Sequence, residues 1–135
     1  MDIGTKSADR VVNVGSTSTF YSLFSTAKSL FGRHAKKVAV ALAFLESGSC
    51  NAKDCAKAAK QLEKINKELG RHAPEDAVWD MNHPNILAPW DGNIAPTIES
   101  CADLYTTSEG EPMLPELIGI LQYADATKQE IVALG

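Results

Sequence analysis

The sequence predicts an α+β domain, mostly helical, with about four helices and a small antiparallel sheet. Three observations carry this. Residues 1–72 contain no proline and place apolar residues at helical spacing between glycine stops. All six prolines (Pro74, Pro84, Pro89, Pro96, Pro112 and Pro115) come later, most of them around one long Pro/Asn/Gly-rich segment. Two short stretches, Val11 to Val14 and Glu130 to Leu134, read as an opening and a closing strand. At 135 residues the chain 1–135 is one domain by size. It can bury about two thirds of its unfolded surface, so it needs no disulfide or metal to fold.

Taken in order, the polar start Ser7-Ala8-Asp9-Arg10 has no place in this scheme and leaves the beginning of the first strand open. Ser16 and Thr17 offer an N-cap to a first helix, whose inner positions are Phe20, Leu23, Phe24, Ala27, Leu30 and Phe31, with Gly32 as its stop. A second helix from about Ala35 to Glu46 is apolar nearly all round and belongs in the centre, ended by Gly48. Asn51 caps a third helix with an inner stripe of Cys55, Ala58, Ala59, Leu62, Ile65 and Leu69, and Gly70 follows at its C-terminus. The outer face of that helix carries Lys53, Lys57, Lys60, Lys64 and Lys67, with Glu63–Lys67 and Lys64–Glu68 at the spacing of helical ion pairs. Ala77-Val78-Trp79 reads as a short strand, and residues 98–107 are compatible with strand and helix alike. A last helix starts near Pro112 and points Met113, Leu114, Leu117, Ile118 and Leu121 inward, since proline is tolerated in a first turn.

The charge is divided along the chain. Residues 73–127 hold no Lys or Arg but ten carboxylates: Glu75, Asp76, Asp80, Asp91, Glu99, Asp103, Glu109, Glu111, Glu116 and Asp125. Residues 1–72 hold twelve of the thirteen basic residues against six acids, so the two parts carry formally +6 and −10. A field of one sign on that scale steers a cationic partner and repels nucleic acid. The five-lysine face does not reverse this, because no aromatic residues interleave with it and it has no Arg to grip phosphate in two places. No apolar run approaches the ~18 residues of a membrane span, and residues 1–10 lack the basic-then-apolar order of a secretory signal. Cys50, Cys55 and Cys101 are odd in number and scattered, which suits a reducing cytoplasm.

Catalytic motifs are missing: there is no HExxH, GxSxG, Walker loop or CxxC pair. Cys50 and Cys55 have no second pair to complete a zinc site, and they read as small apolar groups at a helix start. No cofactor or metal is therefore expected. His34 and His72 each follow an Arg near a helix end, where surface or capping roles are ordinary. His83, three residues after Asp80, is the one acid–base candidate, although a loop His beside an Asp is usually a plain hydrogen bond. Gly15-Ser16-Thr17-Ser18-Thr19 admits an anion nest or an ordinary N-cap run. The segment Val78 to Pro96 holds both tryptophans, each followed by an Asp. Trp79 beside Val78 reads as a packing residue, while Trp90, before Asp91-Gly92 in an apparent turn, suits exposure and burial about equally.

The order Val78-Trp79-Asp80, Pro89-Trp90, Asn93-Ile94 and Thr107-Ser108-x-Gly110 before an apolar helix resembles bacterial immunity proteins encoded beside polymorphic toxins. Those include the partners of contact-dependent growth inhibition effectors, and the Immunity protein 70 family is among them. Phe20-x3-Phe24-Ser25-Thr26 and the Leu62-x2-Ile65-x3-Leu69 stripe extend the resemblance over residues 11 to 132. It implies a stoichiometric, non-enzymatic inhibitor that binds a cognate toxin domain, often a nuclease with a basic cleft. An acidic surface that mimics phosphate agrees with that. Protection at nanomolar affinity needs about 12 kcal/mol, more than rim charges supply, so a buried anchor is required. The expected contact residues are Glu75, Asp76, Asp80, Asp91, Glu109 and Glu111, with Trp90 or Tyr105 as the anchor. Two other classes remain: a small adaptor for a basic host protein, and an enzyme using His83 with Asp80 or Cys101.

Overall fold

The computed structural model describes residues 1–135. Its centre is the helix the sequence marks most clearly, Cys55–Leu69. Every residue of the expected inner stripe is buried there, and all five lysines of the outer face are exposed. In chain order the helices are α1 (Thr17–Phe31), α2 (Ala39–Ser47), α3 (Cys55–Leu69) and α4 (Met113–Thr127). α3 packs against α4, α2 and α1, and one apolar core runs through all of them.

The helix ends are where local chemistry and tertiary structure part company. Ser16 caps α1 as expected, its Oγ accepting from the Thr19 N–H at 3.0 Å, so the Ser/Thr run is an ordinary N-cap. Gly32 stops α1, and Gly48 stops α2 in the left-handed conformation. α2 starts four residues later than the sequence suggests. Residues Gly32–Val38 wind as a tighter 3-10 segment, because no side chain near Ala35 caps a helix start. The missing cap arrives from α3 instead: buried Gln61 accepts from the Ala41 N–H, in the first turn of α2, at 2.9 Å. Asn51 makes no side-chain cap, and one 3-10 turn, Ala52–Asp54, leads into α3. Gly70 ends α3 in ordinary right-handed geometry. Neither Glu63–Lys67 nor Lys64–Glu68 closes; Glu68 turns to His72 and Arg71. In α4 the inward set includes Ile120 and Ala124, and Ile118 is only half-buried.

The sheet has three antiparallel strands in the order β2-β1-β3: β1 (Asp2–Thr5), β2 (Val11–Asn13) and β3 (Ile131–Ala133). The two expected strands are thus the edges, and the central one was not foreseen. Its sequence, Asp-Ile-Gly-Thr, has a single large apolar residue, and glycine weakens a strand signal. Gly4 is there for space: a Cβ at this position would stand 2.6 Å from Leu134 Cδ1 and 2.8 Å from the Arg10 carbonyl oxygen. Gly48 lets α2 end against the same strand: a Cβ here would stand 3.0 Å from Ile3 Cδ1.

The polar start finds its place as the turn between β1 and β2. Asp9 accepts hydrogen bonds from the hydroxyls of Thr5, Ser7 and Tyr123 and from the Gln129 amide, tying the hairpin to the end of α4. Arg10 lies over the Tyr123 ring, 4.3 Å from its centroid. These donors, Thr5 and then Tyr123 foremost, hold the Asp9 carboxyl well below the usual carboxylate range.

Two outcomes are expected. Gln61→Leu leaves the buried Ala41 N–H unpaired and lowers stability by about 1–3 kcal/mol in urea unfolding. Asp9 has a folded pKa below its unfolded value of about 3.9, so its stabilisation is full above that value and disappears as pH falls through the folded pKa. The Tm difference between wild type and Asp9→Asn should therefore be steady near neutrality and shrink progressively below about pH 5.

Candidate functional site

The Pro/Asn/Gly-rich segment forms one wall of the molecule between two 3-10 turns, Pro74–Asp76 and Cys101–Leu104. The turns meet at their bases. The Cys101 N–H donates to the His72 carbonyl at 3.0 Å, and the Cys101 thiol donates to the Ala73 carbonyl at 3.1 Å. Residues 98–107 thus resolve into a 3-10 turn, then a bridge between Thr106 and Pro112. Between the bases the chain is a string of tight turns, closed by Ile86 N–H to His83 O, Asp91 N–H to Ala88 O, Asn93 N–H to Trp90 O and Ile98 N–H to Ala95 O.

Ala77-Val78-Trp79 is not a strand. The Val78 peptide is held by hydroxyls of α1: its N–H donates to Thr26 Oγ1 at 2.8 Å, and its carbonyl accepts from Ser22 Oγ at 2.7 Å. One turn along, the Met81 N–H donates to Ser25 Oγ at 3.2 Å, and Asn82 donates to the Tyr21 hydroxyl at 2.6 Å. Ser22, Ser25 and Thr26 are buried on the inward side of α1, where a strand partner's backbone would otherwise have been needed. The Tyr105 hydroxyl lies 2.8 Å from both Ser22 Oγ and Thr26 Oγ1 and completes the network. Burial pushes its phenol up to about 12.

From this knot a file of aromatics rises to the surface. Trp90 packs edge-on against Tyr105, centroids 5.9 Å apart, and Trp79 packs edge-on against Trp90 at 5.4 Å. Both indoles are half-buried and line a cleft of about 530 Å³. Glu75, Asp80 and Asp91 line it too, together with Ile86 and Leu87. Ile86 is 54% exposed and Leu87 70%, the most exposed large apolar side chains of the chain.

Of the expected contact residues, Glu75, Asp80, Trp90 and Asp91 come together in this cleft. Asp76 instead faces His72, Oδ2 to Nδ1 3.6 Å. Tyr105, the alternative to Trp90 as the buried anchor, has no exposed surface and lies beneath Trp90 as its floor. Glu109 lines a separate, smaller cleft with Val11, Asn13 and Glu116, and Glu111 is exposed beyond the tip of the Thr107–Glu111 turn. Sequence reasoning missed Ile86 and Leu87, which belong to no periodic element. It also missed Ser22, although hydroxyls at 22, 25 and 26 on the inner side of an apolar helix signal that something polar docks there.

Asp80 is a turn residue as well as a wall of the cleft. Its Oδ1 accepts from the Asn82 N–H at 2.9 Å and its Oδ2 is 3.1 Å from His83 Nδ1. The Asn82 bond first, then His83, lowers its pKa. His83 and Asp80 are therefore the plain hydrogen bond of a loop. Cys101 is buried, with its thiol pushed up to about 11, mainly by desolvation, and it is engaged with Ala73 rather than with His83. No group of three or more His, Cys, Asp or Glu side chains is placed to hold a metal ion. What the cleft offers is acceptor oxygens, indole surface and an apolar rim, the chemistry of non-covalent recognition.

The class follows from comparison with known families: this is an immunity protein of a toxin system. The chain belongs to the Immunity protein 70 family, whose model matches residues 5–133, from the end of β1 through β3. No curated protein and no solved structure matches it.

Tyr105→Phe keeps the ring but leaves buried Ser22 and Thr26 hydroxyls short of a partner. It should cost about 1–3 kcal/mol of stability by urea unfolding. The near-ultraviolet signal of the tryptophans should loosen before the helices melt.

Proposed function

We propose that the protein neutralises its cognate toxin by seating the cleft of residues 74–94 against a basic active site, that of a nuclease domain. The observation that carries this is the coincidence of two features on one rigid wall. Ile86 and Leu87 stand out from a cleft lined by Glu75, Asp80 and Asp91, in a stretch of chain without a single Lys or Arg. Nine of the ten carboxylates of residues 73–127 are exposed and the tenth, Asp80, is half-buried.

The two features do different work. Exposed charge of one sign accelerates encounter with a cationic surface and contributes little to holding it. Burying Ile86 and Leu87 contributes roughly 1.5–3 kcal/mol each, a substantial part of the about 12 kcal/mol that a nanomolar complex needs. Trp79 and Trp90 provide a fixed surface beside them, already ordered before the toxin arrives, which reduces the entropy lost on binding. The protein acts as a stoichiometric inhibitor, with no catalytic step and no cofactor. Its place of action is a reducing cytoplasm, in keeping with three free, buried cysteines; no helix is long and apolar enough to cross a membrane.

Glu75→Lys with Asp91→Lys is the discriminating variant, since neither side chain makes an internal hydrogen bond or ion pair that folding would lose. Its association rate with the toxin domain should fall about 10- to 100-fold at low salt, and the wild type's salt dependence should flatten in the variant. Leu87→Asp should instead act mainly on dissociation. Association rates that ignore the charge reversal would sink the acidic-docking mechanism.

A further inference from the structure

We infer that the cleft receives the side chain of an arginine presented by the partner, a reading that deepens the proposed docking and rests on it. The cleft is about 530 Å³, within the range of ligand clefts and roomier than a single side chain needs, so the backbone carrying the arginine can follow it in. Its three carboxylates are not equivalent. Asp80 is occupied by its turn, both oxygens engaged by Asn82 and His83. The oxygens of Glu75 and Asp91 have no partner in the chain, which leaves acceptors on the cleft wall for an incoming donor. The only cationic group that residues 73–127 can supply is His83, and it is already on Asp80.

The remaining wall is indole. The chain has two tryptophans, and both line this one cleft, locked edge to face and backed by Tyr105. A guanidinium is planar and weakly hydrated, so it can lie on an indole while its forked N–H donors reach carboxylates at its edge. An ammonium is a compact, strongly hydrated charge and meets only half of these features. A neutral group would cover the carboxylates without pairing them, which costs free energy.

Because both tryptophans lie in the cleft, their two indole N–H signals in nitrogen-15 NMR of the full chain report its occupancy. The probes are the N-acetyl amides of arginine, lysine and citrulline, the last a neutral isostere of arginine. Arginine should shift both signals saturably with a Kd of about 1–10 mM. Lysine should bind several-fold more weakly, and citrulline at least about tenfold more weakly. Glu75→Gln with Asp91→Asn, melting as wild type does, should weaken arginine binding about tenfold. Equal shifts from citrulline and arginine, an unchanged titration in the double variant, or no saturable shift at all would each overturn the arginine site. The toxin domain separates this from the broader reading. If the arginine titration fails while Glu75→Lys/Asp91→Lys still slows the toxin, only the arginine site falls. If the toxin's association ignores that reversal, the docking mechanism and the arginine site fall together.

Discussion

The Val78 peptide, gripped on both its N–H and its C=O by hydroxyls of α1, is the constraint on which the cleft depends. A long segment without helix or strand has no ladder to satisfy its backbone, and buried peptide groups cannot be left unpaired. Ser22, Ser25 and Thr26 supply the missing partners from the side of a helix, and Tyr105 closes the network from the far side of the segment. Each bond is worth only about 0.5–1.5 kcal/mol net, but breaking one strands a buried group at a higher cost. The network therefore fixes position more than it adds stability. Trp90 stands on Tyr105 and Trp79 on Trp90, so the placement of every aromatic in the wall traces back to this point.

Such an arrangement separates the part of the chain that folds from the part proposed to dock the toxin. The core is carried by α1 to α4 and the sheet, with Val14, Val38 and Cys50 beside them and only Cys101 and Tyr105 added from the turn-rich region. Residues 77–100 contribute almost nothing to the core, but they are not slack, because successive turns and the Cys101–Ala73–His72 closure fix their path. A recognition surface built this way can vary its exposed residues without disturbing the packing beneath. It also presents its contacts already ordered, which lowers the entropic cost of association.

The division of charge serves the same separation. The lysines of α3 remain exposed and unpaired with their helical neighbours, while Glu68, the acid best placed to meet Lys64, is drawn to His72 and Arg71 at the base of the acidic wall. Lys and Arg are absent from residues 73–127, so the segment that lines the cleft brings neither into it. Carboxylates without internal partners remain well solvated until a partner arrives, and their field acts over about one Debye length, ~8–10 Å in physiological salt.

Much of the fold was legible because it depends on local pattern. The stripe from Cys55 to Leu69, the Ser16 cap and the glycine stops at 32 and 48 are properties of residues a few positions apart, and the sequence alone determines them. So is the charge division between residues 1–72 and 73–127. Three features were decided only in three dimensions. β1 becomes the central strand because its neighbours come from residues 11–13 and 131–133, α2 begins where Gln61 of another helix can cap it, and Val78 is held by hydroxyls more than fifty residues away. The candidate site divides in the same way. Glu75, Asp80, Trp90 and Asp91 could be named from composition, but which acids share a cleft, that Tyr105 lies beneath it and that Ile86 and Leu87 crown it could not. Local sequence sets which backbone groups need partners; which distant side chains supply them, and so which faces are left for a ligand, is settled only when the chain closes on itself.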